Sequence, residues 1–153
     1  MTALYASHNQ HLYTAAGIRT LADIADLSRG GPRLETLSSS DNAIIFWFNT
    51  ADHLSGRTQQ PRINRRATEL LLATTRFTGG DVPLLRGDIV ITGRNSHGKL
   101  ADLTDSQIHQ LVNTKTRWRD DRQLSRRLDR DHRKRRRQAR KAHPANIFDS
   151  APF

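Results

Sequence analysis

The residues first to be tested for chemistry are the seven histidines, at positions 8, 11, 53, 97, 109, 132 and 143. Imidazole binds metals and moves protons near neutral pH. His8 and His11 lie three apart, and Asp52 stands beside His53. A metal site needs a third convergent ligand, however, and neither H-E-x-x-H nor a comparable spacing supplies one. The expectation is therefore no metal and no cofactor. Absence of cysteine removes thiolate zinc sites, disulfides and cysteine nucleophiles. Gly79-Gly80-Asp81 and the run from Gly93 to Gly98 have the glycine content of phosphate loops. Such a loop aims backbone N–H groups from a helix N-terminus, with a Lys and a hydroxyl usually following. The first run leads into Val82-Pro83 and the second into a short strand, so both read as turns. Ser38, Ser39 and Ser40 lack a glycine elbow and a paired base. The side chains thus predict a protein that is not an enzyme.

One other residue type is concentrated enough to matter. Between Lys115 and Lys141 stand fourteen Lys or Arg against four Asp, whereas Met1 to Thr114 carries eleven basic and ten acidic residues. The formal charge of +10 is therefore carried by one segment. Segregated cations attract polyanions by long-range attraction and counterion release. The candidate nucleic-acid contacts are Arg117, Arg119, Arg122, Arg126, Arg127, Arg130, Arg133, Lys134, Arg135, Arg136, Arg137, Arg140 and Lys141. Arginine far outnumbers lysine among them, which favours bidentate phosphate contacts and stacking on bases. The alternative for the segment is a solvated charged extension. Membrane-surface binding would need an apolar face, which Arg122 to Lys141 lacks.

These cations must be positioned by a small domain. At 153 residues one domain is expected, and about 110 residues remain for a core if the basic segment stands apart. Leu4 to Ser7 and Leu12 to Thr14 read as short strands around the polar turn SHNQ. Thr20 caps a helix with Leu21, Ile24, Ala25 and Leu27 on one face, stopped by Gly30-Gly31-Pro32. Arg33 to Leu37 alternates like a half-buried strand. Ala43 to Phe48 is an unbroken apolar run, which predicts a central strand covered on both faces. Asn49 to Pro61 reads as a loop. Asn64 then caps a second helix through Phe77, with Ala67, Leu70, Leu71 and Thr74 inward and Gly79-Gly80 closing it. Asp88 to Gly93 predicts a strand, and Lys99 to Ala101 a short return.

The last helix is signalled by capping-box spacing at Thr104 and Gln107 and by a hydrophobic staple between Leu103 and Ile108. Ile108, Leu111, Val112, Lys115 and Trp118 then fall on one face, which places Trp118 in the core; the alternative, among Arg117, Arg119 and Arg122, is stacking on a base. Continued without a break to Lys141, this helix would be about 55 Å long. Asp129 with Arg133 and Asp131 with Arg135 form favourable i, i+4 pairs worth a few tenths of a kcal/mol, against repulsion such as that of Arg126 and Arg130. Order beyond Arg126 is expected to depend on an anionic partner. His143-Pro144 ends the helix, and ANIFDSAPF follows with two Phe.

The series GIRTLADIADLSRGGPRLETLSSSDNAIIFWFN, INRRATELL and LLRGDIVITG resembles a small domain family of unknown function common in bacteriophages, plasmids and their bacterial hosts. The matching positions are Gly30, Gly31, Asn64, Ala67, Thr68, Leu70, Gly87, Asp88, Val90, Thr92 and Gly93, within residues 17–93. The resemblance implies a mobile-element setting and a compact α+β fold, and it brings no catalytic residues. Each position also has a structural reading, with Asn64 as a cap and Gly87 and Gly93 as turns.

The combined expectation is an α+β fold with a small mixed sheet, two or three packed helices and a long basic C-terminal helix. Residues 1–118 would form the domain, 119–143 an Arg-rich extension and 144–153 a flexible tail. The expected function is that of a non-catalytic nucleic-acid-binding accessory protein of a phage or mobile element, with DNA or RNA as partner. The alternative is modulation of a host protein that has an acidic surface, through the basic helix and the C-terminal peptide. The N-terminus lacks a charged and apolar leader pattern, and no apolar run approaches the ~20 residues of a membrane span. A bacterial cytoplasmic location without membrane contact is expected.

Overall fold

The computed structural model describes residues 1–29, 33–50 and 61–142. In chain order the elements are β1 (Ala3–Ala6), β2 (Leu12–Ala15), α1 (Leu21–Leu27), β3 (Leu34–Ser38), β4 (Ile44–Asn49), α2 (Arg65–Thr74), β5 (Ile89–Arg94), β6 (Leu100–Ala101), α3 (Asp105–Val112) and α4 (Trp118–Ala142). The fold class is α+β, as expected. The strands form one sheet in the order β2-β1-β5-β4-β3, with β6 pairing at the end of β5. The glycine stop at Gly30-Gly31-Pro32, much of the loop before Pro61, and the C-terminal peptide lie outside the described residues.

Alternation along the strands divides the core between the two sheet faces. Leu4 and Ala6 of β1, Ile44 and Phe46 of β4, and Ile89 and Ile91 of β5 turn to one side, where they meet Ala67, Leu70, Leu71 and Leu72 of α2 together with Leu103, Leu111 and Leu124. Ala3, Val90 and Trp47 turn to the other, against Ile18 and Ile24. The apolar run in β4 is thus covered on both faces, as its composition predicts. Full burial of a side chain such as Phe46, Leu70 or Ile91 contributes roughly 1.5–3 kcal/mol. The larger cluster therefore dominates stability, and α1 is a lighter cover on the opposite face. Thr20 and Asp23 close a capping box on α1, while Leu21, expected inward, is 56% exposed. The helix is only seven residues long, and Ile24 anchors its single buried turn.

The sheet is antiparallel throughout rather than mixed. The physical reason lies in the return from α2. The C-terminal end of α2 meets the β3–β4 turn, where the Ser40 N–H donates to Thr74 O. From there the chain runs back beside the helix, so that Asn64 N–H donates to Leu85 O and Gly87 N–H to Arg62 O at the helix start. Chain that leaves β4 at one end of α2 thus enters β5 from that same end, against the direction of β4. This return begins early, because α2 ends at Thr74 with an extended Thr75 rather than continuing to Phe77.

The C-terminal region is two helices, not one. Thr104 and Gln107 form the expected capping box, but α3 ends at Val112 with Asn113 as its C-cap. Arg66 of α2 explains the stop: its guanidinium donates to the carbonyls of Leu111, Val112 and Thr114. A cation on the orphan carbonyls of a helix end satisfies them and complements the dipole. Val112, at the end of α3, is 49% exposed, with Leu111 the buried residue of that helix, and because the helical phase restarts at Trp118 this second expected inward position is 65% exposed. Leu124 and Leu128 take over the inward role in α4.

Candidate nucleic-acid interface

Helix α4 is 25 residues long, about 37 Å at 1.5 Å per residue. Asp120 and Asp121 sit in its first turn and Arg140 and Lys141 in its last, each sign at the pole that favours it. Positions 120/121, 124, 127/128, 131 and 135 recur at helical spacing and form the stripe that faces the domain. Near the start, Asp120 accepts from the Gly79 N–H at 2.9 Å and Asp121 takes the Arg65 guanidinium at 2.5 Å. A Cβ on Gly79 would collide with the backbone of Asp120, so the glycine permits this close approach. Leu124 is fully buried and Leu128 packs beside it.

Farther along, the Arg127 guanidinium donates to Gly79 O at 3.1 Å and Val82 O at 2.7 Å. Asp131 takes Arg86 at 2.5 Å, with both side chains largely covered. Arg135 donates to Pro61 O at 2.9 Å. Burial lowers the pKa of both Arg127 and Arg135; neighbouring Arg130 adds to it at Arg127, while Asp131 opposes it at Arg135. Contacts with the domain thus run well past the expected boundary at Trp118. The expected pairs Asp129–Arg133 and Asp131–Arg135 do not form among the described residues, since Asp131 is taken by Arg86 and Arg135 by a carbonyl.

Of the thirteen candidate cations, Arg127 and Arg135 are the two turned to the domain. Arg117, Arg119, Arg122, Arg126, Arg130, Arg133, Lys134, Arg136, Arg137, Arg140 and Lys141 are all exposed. None of these eleven meets a carboxylate among the described residues. The result is a continuous cationic strip along the outer face of the helix, and Arg136, Arg137, Arg140 and Lys141 continue it on that same side beyond Arg135.

No known family, curated protein or solved structure matches this chain.

Of the motif positions, Gly30 and Gly31 lie outside the described residues, and Asn64, Ala67, Thr68 and Gly87 meet where the start of α2 approaches β1 and the segment before β5. Asn64 is fully buried; its side chain accepts from Ala67 N–H and donates to the carbonyls of Ala6, Ser7 and Gly87. Thr68 donates to Asn64 O and accepts from Leu85 N–H. Thr92 accepts from the Trp47 indole at 2.8 Å. Gly87 has φ +74°, a left-handed conformation that favours glycine. Asn64 and Thr68 tie α2 to β1 and to the segment before β5, and Thr92 ties β5 to β4.

A histidine–carboxylate pair does form, but between residues the sequence holds far apart. Asp88 Oδ1 accepts from the His8 N–H at 2.8 Å and lies 3.0 Å from His8 Nδ1, while Arg29 Nε is 3.5 Å from Oδ2. Burial would raise the Asp88 carboxyl, yet the bonds from His8 and Tyr5 outweigh it and hold the group below the usual carboxylate range. Tyr5 is pushed up to about 12, by burial and then by its bond to Asp88. The neighbouring Ser7 hydroxyl donates to Asn9. No group of three or more His, Asp or Glu that could hold a metal occurs among the described residues. Asp52-His53 lies outside them. The pairing was invisible in sequence because it depends on the β1–β2 turn lying across the start of β5. No described helix is long and apolar enough to cross a membrane.

Proposed function

We propose that this protein is a non-catalytic nucleic-acid-binding accessory factor whose helix α4 lies with its outer face along phosphates. The observation that carries this reading is the sorting of cations on α4. Arg127 and Arg135 on the inner stripe are hydrogen-bonded to domain carbonyls, while the ten outer cations of α4 and Arg117 just before it have no carboxylate partner among the described residues. A cationic surface held on a packed scaffold releases counterions from nucleic acid without a large ordering cost. The setting in a phage or other mobile element rests on the resemblance in residues 17–93 alone.

The test is salt-dependent binding of labelled duplex and single-stranded oligonucleotides. If roughly six phosphates are contacted, log affinity falls against log salt with a slope of about −5 on duplex DNA. Changing Arg136, Arg137, Arg140 and Lys141 to Gln should reduce the magnitude of that slope by about 3 to 4. Truncation at Thr114 would be a poor substitute, because it removes buried Leu124 from the core. Unchanged affinity and slope in the fourfold variant would sink the reading. A host protein retained by the wild-type chain after nuclease treatment, and lost by that variant, would transfer the strip to an acidic protein surface.

A further inference from the structure

The break between α3 and α4 leaves a groove at the base of the basic helix. Its volume is about 760 Å³, and it lies between the end of α2, the Thr75–Thr78 turn and the segment Lys115–Asp120. That size lies within the ~300–1,000 Å³ of small-molecule sites. Two aromatic side chains line it while remaining open to solvent: Trp118 is 65% and Phe77 39% exposed. Both are costly to leave uncovered by any partner, and Trp118 is the largest apolar side chain on the surface of α4.

The charges around the groove favour an anion. Arg76, Lys115, Arg117 and Arg119 line it and are exposed, and none is paired with a carboxylate among the described residues. The two acidic residues present are already engaged. Glu69 meets Arg65 and Arg66, and Asp120 accepts from Gly79 N–H. Arg119 and Arg122 each stand 5.7 Å from the Trp118 ring centroid, close enough for cation–π attraction. Both guanidiniums stand over the indole, so a base that stacks on Trp118 replaces one of them, and the displaced cation is left beside the base for its phosphate. This combination of aromatic platforms and a cationic track is what binds unpaired nucleotides, since every base has a π-face. A duplex keeps its bases stacked inside and would use only the cations.

Resting on the nucleic-acid reading above, we infer that the Phe77–Trp118 groove captures an unpaired base of a single strand whose flanking phosphates run onto the α4 strip. The ligand is a single-stranded segment, of DNA or of RNA. The groove supplies strand-state selectivity that the strip alone lacks.

The experiment uses the full chain with labelled oligo-dT, oligo-rU and a blunt duplex of equal length at one salt concentration. Wild type should bind the single strands with quenching of tryptophan fluorescence. Trp118→Ala should weaken single-strand binding roughly fivefold or more while changing duplex affinity less than twofold. Trp118→Phe should retain most of the affinity yet lose the quenching, which assigns the signal to Trp118 rather than Trp47. The two single strands separate DNA from RNA as the source. Equal losses on single strand and duplex, or no loss on either, overturn the groove. If the Gln variant of the helix end loses binding while Trp118→Ala does not, the groove fails and the strip reading stands. Absence of binding by wild type to all three ligands overturns both.

Discussion

The two faces of α4 are built from the same residue types and do opposite work. Arg127 and Arg130 are three positions apart in one helix, yet Arg127 is bonded to the carbonyls of Gly79 and Val82 while Arg130 faces solvent. Likewise, Asp131 is held by Arg86 whereas Asp129 is exposed. The difference teaches that an Arg-rich segment is not uniformly an arm. A narrow stripe, with Leu124 at its centre, fastens the helix to the domain and so fixes which cations remain outside.

The largest effect that could break this comparison is at Leu124. Leu124→Ala should lower stability by about 2–5 kcal/mol, read as a shift in the denaturant midpoint. If the loss is below about 0.5 kcal/mol, the helix is not docked as described. Next, removing the Arg86–Asp131 pair tests the far end of the stripe. Arg86→Ala or Asp131→Ala should each cost about 2 kcal/mol, because the remaining partner is left largely covered and uncompensated. The double variant should cost less than the sum of the two, with a coupling of about 1 kcal/mol in a double-mutant cycle. Additive costs would mean that the pair does not form. The smallest and sharpest contrast sets Arg127→Gln against Arg130→Gln. The first should reduce stability by about 1 kcal/mol and leave oligonucleotide affinity nearly unchanged. The second should leave stability within about 0.5 kcal/mol and reduce affinity and salt slope. Exchanged outcomes would invert the assignment of faces.

Much of the fold was legible because its signals are local. Thr20, Asn64 and Thr104 cap the helices that they announce, and the apolar run around Phe46 is the doubly covered strand beside β5. Capping and alternation act within a few residues, so spacing reveals them. Spacing alone predicts a continuous last helix, because Arg66, which holds the carbonyls at the break, lies about fifty residues away in α2. With the phase reset, Trp118 moved from an expected core position to the surface, and Leu124 and Leu128 became the anchor. The His8–Asp88 pair was missed for the same kind of reason, since its partners are separated by eighty positions and meet only through sheet pairing.

The sequence by itself determined the segregation of charge, the helix starts, the central strand and the α+β class, because composition and short-range periodicity carry that information. Tertiary structure alone decided where the last helix breaks, which face of α4 is held down, and which cations and which tryptophan are left exposed. The physical reason is that a helix direction and its buried stripe are set by long-range partners. Arg66 on the carbonyls that end α3, Gly79 against Asp120, and Arg86 on Asp131 orient the rod, and the outer cationic strip is what that orientation leaves free.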